Sequence, residues 1–218
     1  MPRAGPRAII VVVVRSTGWH YEECLHFPRE AIRFPIELRP PPGFSPEAPS
    51  TWPRIPGRLE YVGGRIRYMP PCGDVPQDVC VDLMTALGLW TREHPDFVAG
   101  GNEAGMLLRE EVRGADGAVW RRADAGARTG GFRRTPPILA AEVAGQDEGE
   151  EELREKARWY LGAGVEVVWL LLPEPREVVV LTRAGESRHG EADTLPAHAS
   201  LPGLAPKVAE LFAQIARG

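Results

Sequence analysis

Two short apolar runs separated by one helix constrain this chain more than any other feature. In Ile138-Leu139-Ala140-Ala141-Glu142-Val143-Ala144 six of seven residues are apolar, on both faces of any strand they form. Such strands lie inside a sheet that is covered on each side. Val165 to Leu172 has the same character, Glu166 excepted. Between them, Leu153, Ala157, Tyr160, Leu161 and Gly164 recur at helical spacing, and Gly162 and Gly164 end a helix spanning about 148–163. Strand, helix and strand with short links make a crossover unit, so the two strands are expected to run parallel.

Further signals place this unit in an α/β chain, a mixed sheet flanked by helices. Leu59 to Met69 reads as a hairpin around Gly63-Gly64. Asp74 and Pro76 open a helix to about His94, with Val79, Leu83, Leu87 and Trp90 facing the core. Short strands are expected near 97–99 and 105–108, then over 118–126 and 177–182, with a last helix over 206–216. The front section differs. After the β-branched run Ile9 to Val14 come eight prolines between Pro35 and Pro56, which exclude regular helix and central strand. We read residues 1–56 as an N-terminal strand and Pro-rich extended arm, and 57–218 as one domain.

The longest apolar stretch, Ala8 to Val14, is far shorter than the roughly 20 residues of a membrane helix, and no small-residue cleavage site follows it. A cytoplasmic protein with no membrane partner is expected. The net charge of −4 gives no global basic field. The basic residues are 24 arginines and two lysines, Lys156 and Lys207, so each lysine in this arginine-rich chain invites a specific reason.

Three residues resist a purely structural account. Glu142 is a carboxylate inside an apolar strand and needs a cation, a metal or a proton; pairing with one of the arginines is the plain alternative. Asp124 is expected late in the 118–126 strand, where aspartate is disfavoured unless something binds it. It is the one acid among Arg121, Arg122, Arg128, Arg133 and Arg134, a basic cluster suited to phosphate contacts, or to pairing with the acidic run 147–155. Lys156 lies on or beside the buried helix face, where it offers a compact ammonium; an i,i+4 pair with Glu152 is the alternative. On this reading Lys156→Ala holds or raises the melting temperature, because an inward charge is lost. Two carboxylates on neighbouring strands with an inward lysine suit one hard divalent ion, Mg²⁺ or Mn²⁺, and phosphodiester hydrolysis.

Asp124, Glu142-Val143-Ala144 and Lys156 in the next helix resemble the PD-(D/E)XK nuclease superfamily, and within it the bacterial restriction-endonuclease-like group whose lysine sits on the following helix. The resemblance spans about 57–205 and includes Met69-Pro70-Pro71, Glu155 to Tyr160, Trp169 and Ser200 to Leu204. It implies a restriction-endonuclease-like fold acting on DNA, with Asp124 and Glu142 as metal ligands, the Val143 carbonyl as a further ligand, and Lys156 as the catalytic lysine. Ala123 stands where the group has proline, and residues 1–50 have no counterpart. Glu60 matches an acid that the group sometimes adds; counted back from the turn it lies opposite Arg67, so a surface cross-strand pair fits equally well. His20, Cys24 and His26 lack the spacing of a zinc site. A homodimer is compatible with the sequence. The alternatives are a catalytically silent nucleic-acid-binding or assembly module, and a hydrolase of small phosphoesters.

Overall fold

The computed structural model describes the backbone of residues 9–15, 22–28 and 32–217. Strands β1 (Ile9–Arg15) and β2 (Glu22–Pro28) pair antiparallel as a separate two-stranded sheet. A nine-stranded sheet follows. Its elements in chain order are β3 (Ile36–Leu38), β4 (Arg58–Val62), β5 (Arg65–Met69), helix α1 (Asp74–Glu93), β6 (Phe97–Leu108), β7 (Glu111–Arg121), β8 (Leu139–Val143), helix α2 (Glu150–Ala163), β9 (Val167–Leu172), β10 (Glu177–Thr182), β11 (Gly185–His189) and the short helix α3 (Val208–Leu211). The spatial order is β11-β10-β9-β8-β7-β4-β5-β3, with β6 also paired to β7.

The crossover unit is present as expected: β8 and β9 run parallel, Leu139 opposite Val167 through Val143 opposite Leu171, with α2 between them in sequence. Every other pairing among the described strands of this sheet is antiparallel. Alternate residues of β8 and β9 divide between two cores. Leu139, Ala141, Val143, Val167, Trp169 and Leu171 pack with α1 and α3, while Ala140, Val168 and Leu170 pack with Leu153, Ala157 and Tyr160 of α2. This double cover is why both strands are apolar on both faces. Gly164 ends α2 in the left-handed region at φ 110°, its N–H bonded to the carbonyls of Leu161 and Tyr160.

Three boundaries differ from the sequence expectation. The two short strands near 97–99 and 105–108 are one strand, β6, with a register shift between Gly101 and Ala104. The strand expected over 118–126 lies earlier, at Glu111–Arg121, because β7 is held along its length by β6 rather than by its own propensity. The last helix is only Val208–Leu211, followed by a 3-10 turn at Ile215–Arg217.

The Pro-rich segment is docked on the main body: a short strand is followed by turns and a 3-10 turn at Pro49–Thr51. Its β3 extends the sheet beside β5. Phe44 packs in tilted contact with both Trp52 and Tyr61, with ring centroids 5.4 and 5.3 Å apart, and Trp52 meets Phe132 at 5.4 Å. Residues from 36 onward therefore share the sheet and aromatic packing of the main body.

Candidate active site

Glu142 occupies the α2 face of β8 and is fully buried. One carboxylate oxygen, Oε2, accepts from Lys156 Nζ at 3.0 Å, and Oε1 accepts from the Tyr160 hydroxyl at 2.6 Å. Both partners project from the inner face of α2, which places them four residues apart. Lys156 is 2% exposed and does not pair with Glu152. Its ammonium donates to the Gly114 carbonyl at 2.8 Å and sits 2.9 Å from Glu60 Oε1. Glu60 lies opposite Arg67 in the β4–β5 register, as counted from the turn, yet its side chain turns inward to Lys156 and accepts the Gly114 N–H at 3.2 Å. The surface-pair alternative for Glu60 is thereby removed.

Asp124 is not beside Glu142. It is exposed in the turn after β7 ends at Arg121. The register Gly117 opposite Ala141, continued by one residue, sets Asp116 against Glu142, and Asp116 Oδ2 accepts the Val143 N–H at 2.8 Å. The physical reason is directional. In an antiparallel pair, the residue before one apolar run faces the residue after the other. Asp116 precedes Ala118-Val119-Trp120, and Glu142 follows Leu139-Ala140-Ala141. That counting was available in the sequence and identifies Asp116, an acid that strand propensity concealed.

The basic cluster also lies away from this centre. Asp116 and Arg121 are five residues apart, about 17 Å along a strand. Arg122 donates to the carbonyls of Pro95 and Phe97, and Arg121 lies 5.6 Å over the Phe97 ring. Arg133 donates to the Ala125 carbonyl and stacks 4.6 Å from Trp120. Arg134 pairs with Glu47 at 2.9 Å. Arg128 is exposed, and no partner of its side chain is found among the described residues.

Charge around Glu142 is unbalanced. Burial raises the Glu60 carboxyl, but Lys156 and Arg58 outweigh it and hold the group below its ordinary value. Glu142 goes the other way: burial, with Asp116 adding to it, pushes it up to about 8 despite Lys156. Burial likewise raises Asp116, against the pull of Lys156 and the Val143 N–H. Lys156 and Arg58 do not offset the burial of Glu142 and Asp116 among the surrounding acids, so the Asp116–Glu142 pair is short of positive charge. No described ion pair reaches Asp116. Among the described residues no set of three or more His, Cys, Asp or Glu is placed to hold a metal. Two hard carboxylates suit Mg²⁺, which keeps most of its shell for water and substrate oxygens.

Asp116 and Val143 open on a cleft of about 360 Å³, whose wall also includes Arg58, Glu103, Asp147 and Glu148. A separate small pocket of about 60 Å³ reaches Lys156 and Glu60 beside Arg67 and Arg113. The side chains of Cys24 and His26, and all of His20, lie outside the described residues.

A mixed sheet with helices on both faces, one parallel crossover and acids meeting an inward lysine at its centre defines a restriction-endonuclease-like fold. The chain belongs to the Uma2 family, described as "putative restriction endonuclease", whose profile matches residues 50–211. Its fold resembles the crystal structure of a "putative nuclease belonging to DUF820" from Anabaena variabilis, at TM-score 0.64 and 15% identity, covering 73% of this chain and 93% of that one. No curated protein matches the chain. Family and fold are thus nuclease-like, and no described helix is long and apolar enough to cross a membrane.

Proposed function

We propose that the chain is a Mg²⁺- or Mn²⁺-dependent endonuclease hydrolysing DNA phosphodiester bonds, with Asp116, Glu142 and the Val143 carbonyl as metal ligands. The observation that carries this reading is the pair of neighbouring carboxylates, Asp116 and Glu142, left short of positive charge in a buried site. A bound divalent ion supplies Lewis-acid charge and a more acidic water. The protein's own groups do the positioning. The Val143 N–H fixes one oxygen of Asp116, and Lys156 with Tyr160 fixes both oxygens of Glu142. Burial and the nearby acids keep the Tyr160 hydroxyl protonated, so it remains a donor. Lys156 keeps a compact positive charge beside the centre where phosphoryl charge would develop. Exposed Arg128 and Arg134 would meet flanking phosphates, while Arg121, Arg122 and Arg133 brace the protein's own backbone and rings.

The test is incubation of the protein with plasmid and with mononucleotides, each in Mg²⁺, Mn²⁺ or EDTA. Metal-dependent nicking or linearisation with intact mononucleotides is expected. Plasmid left whole in every metal would favour a silent binding module, and phosphate release from mononucleotides would favour a small-phosphoester hydrolase.

A pH signature follows from the same charges. Glu142 is raised from 4.5 to about 8, so between those pH values the native state holds a proton that the unfolded chain has lost, and Asp116 is raised in the same direction. Their contribution to stability therefore falls as pH rises through that window. Melts in EDTA should drop from pH 5.5 to 8, and the stabilisation given by Mn²⁺ should grow over the same range. A metal gain that is equal at both ends would contradict the assignment.

A further inference from the structure

The cation that faces the cleft is not the lysine. Lys156 spends its N–H donors inward, on Gly114, Glu60 and Glu142. Arg58 at the start of β4 lines the same cleft as Asp116, beside the acids Glu103 and Glu148. Its side chain is 15% exposed. Nη2 donates to Glu148, whereas Nη1 stands 3.7 Å from Glu103, beyond hydrogen-bond reach, and Nε is buried with no partner. Glu103 makes no hydrogen bond to this guanidinium, and 43% of the Glu103 side chain is exposed. Most donors of this guanidinium are therefore unspent, in a cleft whose other charged walls would repel an anion.

We propose that Arg58 binds the phosphate of the substrate beside Asp116. This rests on the phosphodiester reading above and names its recognition group. A guanidinium fork matches two phosphate oxygens at once, and an approaching phosphate can take Nη1, which makes no hydrogen bond to Glu103. Glu148 keeps the fork oriented and ties it to the loop that leads into α2. A purely structural Arg58 would instead be a clamp between β4 and that loop.

The experiment measures anisotropy of a fluorescent DNA duplex in Ca²⁺, over a salt series, for wild type, Arg58→Ala and Arg58→Lys, alongside melts and Mn²⁺ titrations. Arg58→Ala should bind at least tenfold more weakly and lose about 0.9 from the salt slope, the share of one phosphate contact. Arg58→Lys, which keeps the charge and protects the fold, should recover part of that affinity with unchanged Mn²⁺ binding. Wild-type affinity in both variants overturns the proposal in favour of the clamp. So does Arg58→Lys losing Mn²⁺ binding together with DNA, since Arg58 would then build the metal centre. Arg58-dependent binding by a wild type that cleaves no DNA in Mg²⁺ would reject the nuclease reading and keep Arg58 as the phosphate contact. Cleavage by wild type with normal binding by both variants would do the reverse.

Discussion

Lys156→Ala should melt roughly 10 °C below wild type and lose cleavage altogether. The substitution leaves Glu60 and Glu142 buried without their shared cation and the Gly114 carbonyl without its donor. Breaking a buried ion pair from one side costs about 3–5 kcal/mol, and each kcal/mol shifts the melting point of a domain this size by about 2–4 °C. Lys156→Arg keeps the charge but must fit a planar group into a filled space, at about 1–3 kcal/mol. It should stay folded and lose at least a hundredfold in single-turnover rate, about 2.7 kcal/mol of barrier. The double variant Lys156→Met with Glu60→Gln separates stability from chemistry. It should regain most of the lost melting temperature, because Glu142 can hold a proton, and regain no cleavage. An undiminished melting point for Lys156→Ala would mean that this ammonium does not hold Glu60 and Glu142 in place.

That expectation reverses the one from sequence, and the reversal shows where sequence reasoning ends. An inward lysine on α2 was legible from the positions of Leu153, Ala157 and Tyr160, and Glu142 was legible because its strand is apolar on both faces. Of the partners of Lys156, Glu142 was read as part of its set, Glu60 stayed open between the site and a surface pair, and the Gly114 carbonyl was not legible. Glu60 and Gly114 come from β4 and β7, and their approach depends on how the hairpin turns its side chains rather than on any local pattern. Without them, a buried ammonium reads as a cost; with them it is the centre of a network.

Asp116 was missed for a different reason. Glu111-Val112-Arg113-Gly114-Ala115-Asp116-Gly117 has two glycines and three charged residues, so nothing local marks it as strand. Its strand character comes from pairing with β6. Gly114 leaves little space: a Cβ there would lie 3.1 Å from Glu103 Oε2 and 3.3 Å from the Glu103 carbonyl carbon. The arginine cluster was legible as charge but not as bonding, since Arg122 and Arg133 are committed to the carbonyls of Pro95, Phe97 and Ala125. The prolines excluded regular helix and central strand, but the turns of the Pro-rich segment and the Phe44–Trp52–Phe132 packing that docks it join positions too distant in sequence to be foreseen.

The largest effect expected in this protein separates two aspartates eight positions apart. Asp116 lies against Glu142 with no cation of its own, so Asp116→Asn removes a ligand charge at the centre of the proposed site and should lower cleavage by at least about a thousandfold, roughly 4 kcal/mol of barrier. The variant should keep or gain thermal stability in EDTA, because one of the crowded carboxylates is gone. Asp124 is exposed in a turn beyond the end of β7, and Asp124→Asn should behave as wild type. Single-turnover cleavage of a plasmid in saturating Mg²⁺, run side by side for wild type, Asp116→Asn and Asp124→Asn, is the most direct measurement. Silence from Asp116→Asn with a rate within twofold of wild type for Asp124→Asn is the predicted result; an active Asp116→Asn beside a dead Asp124→Asn would contradict the site proposed for this chain.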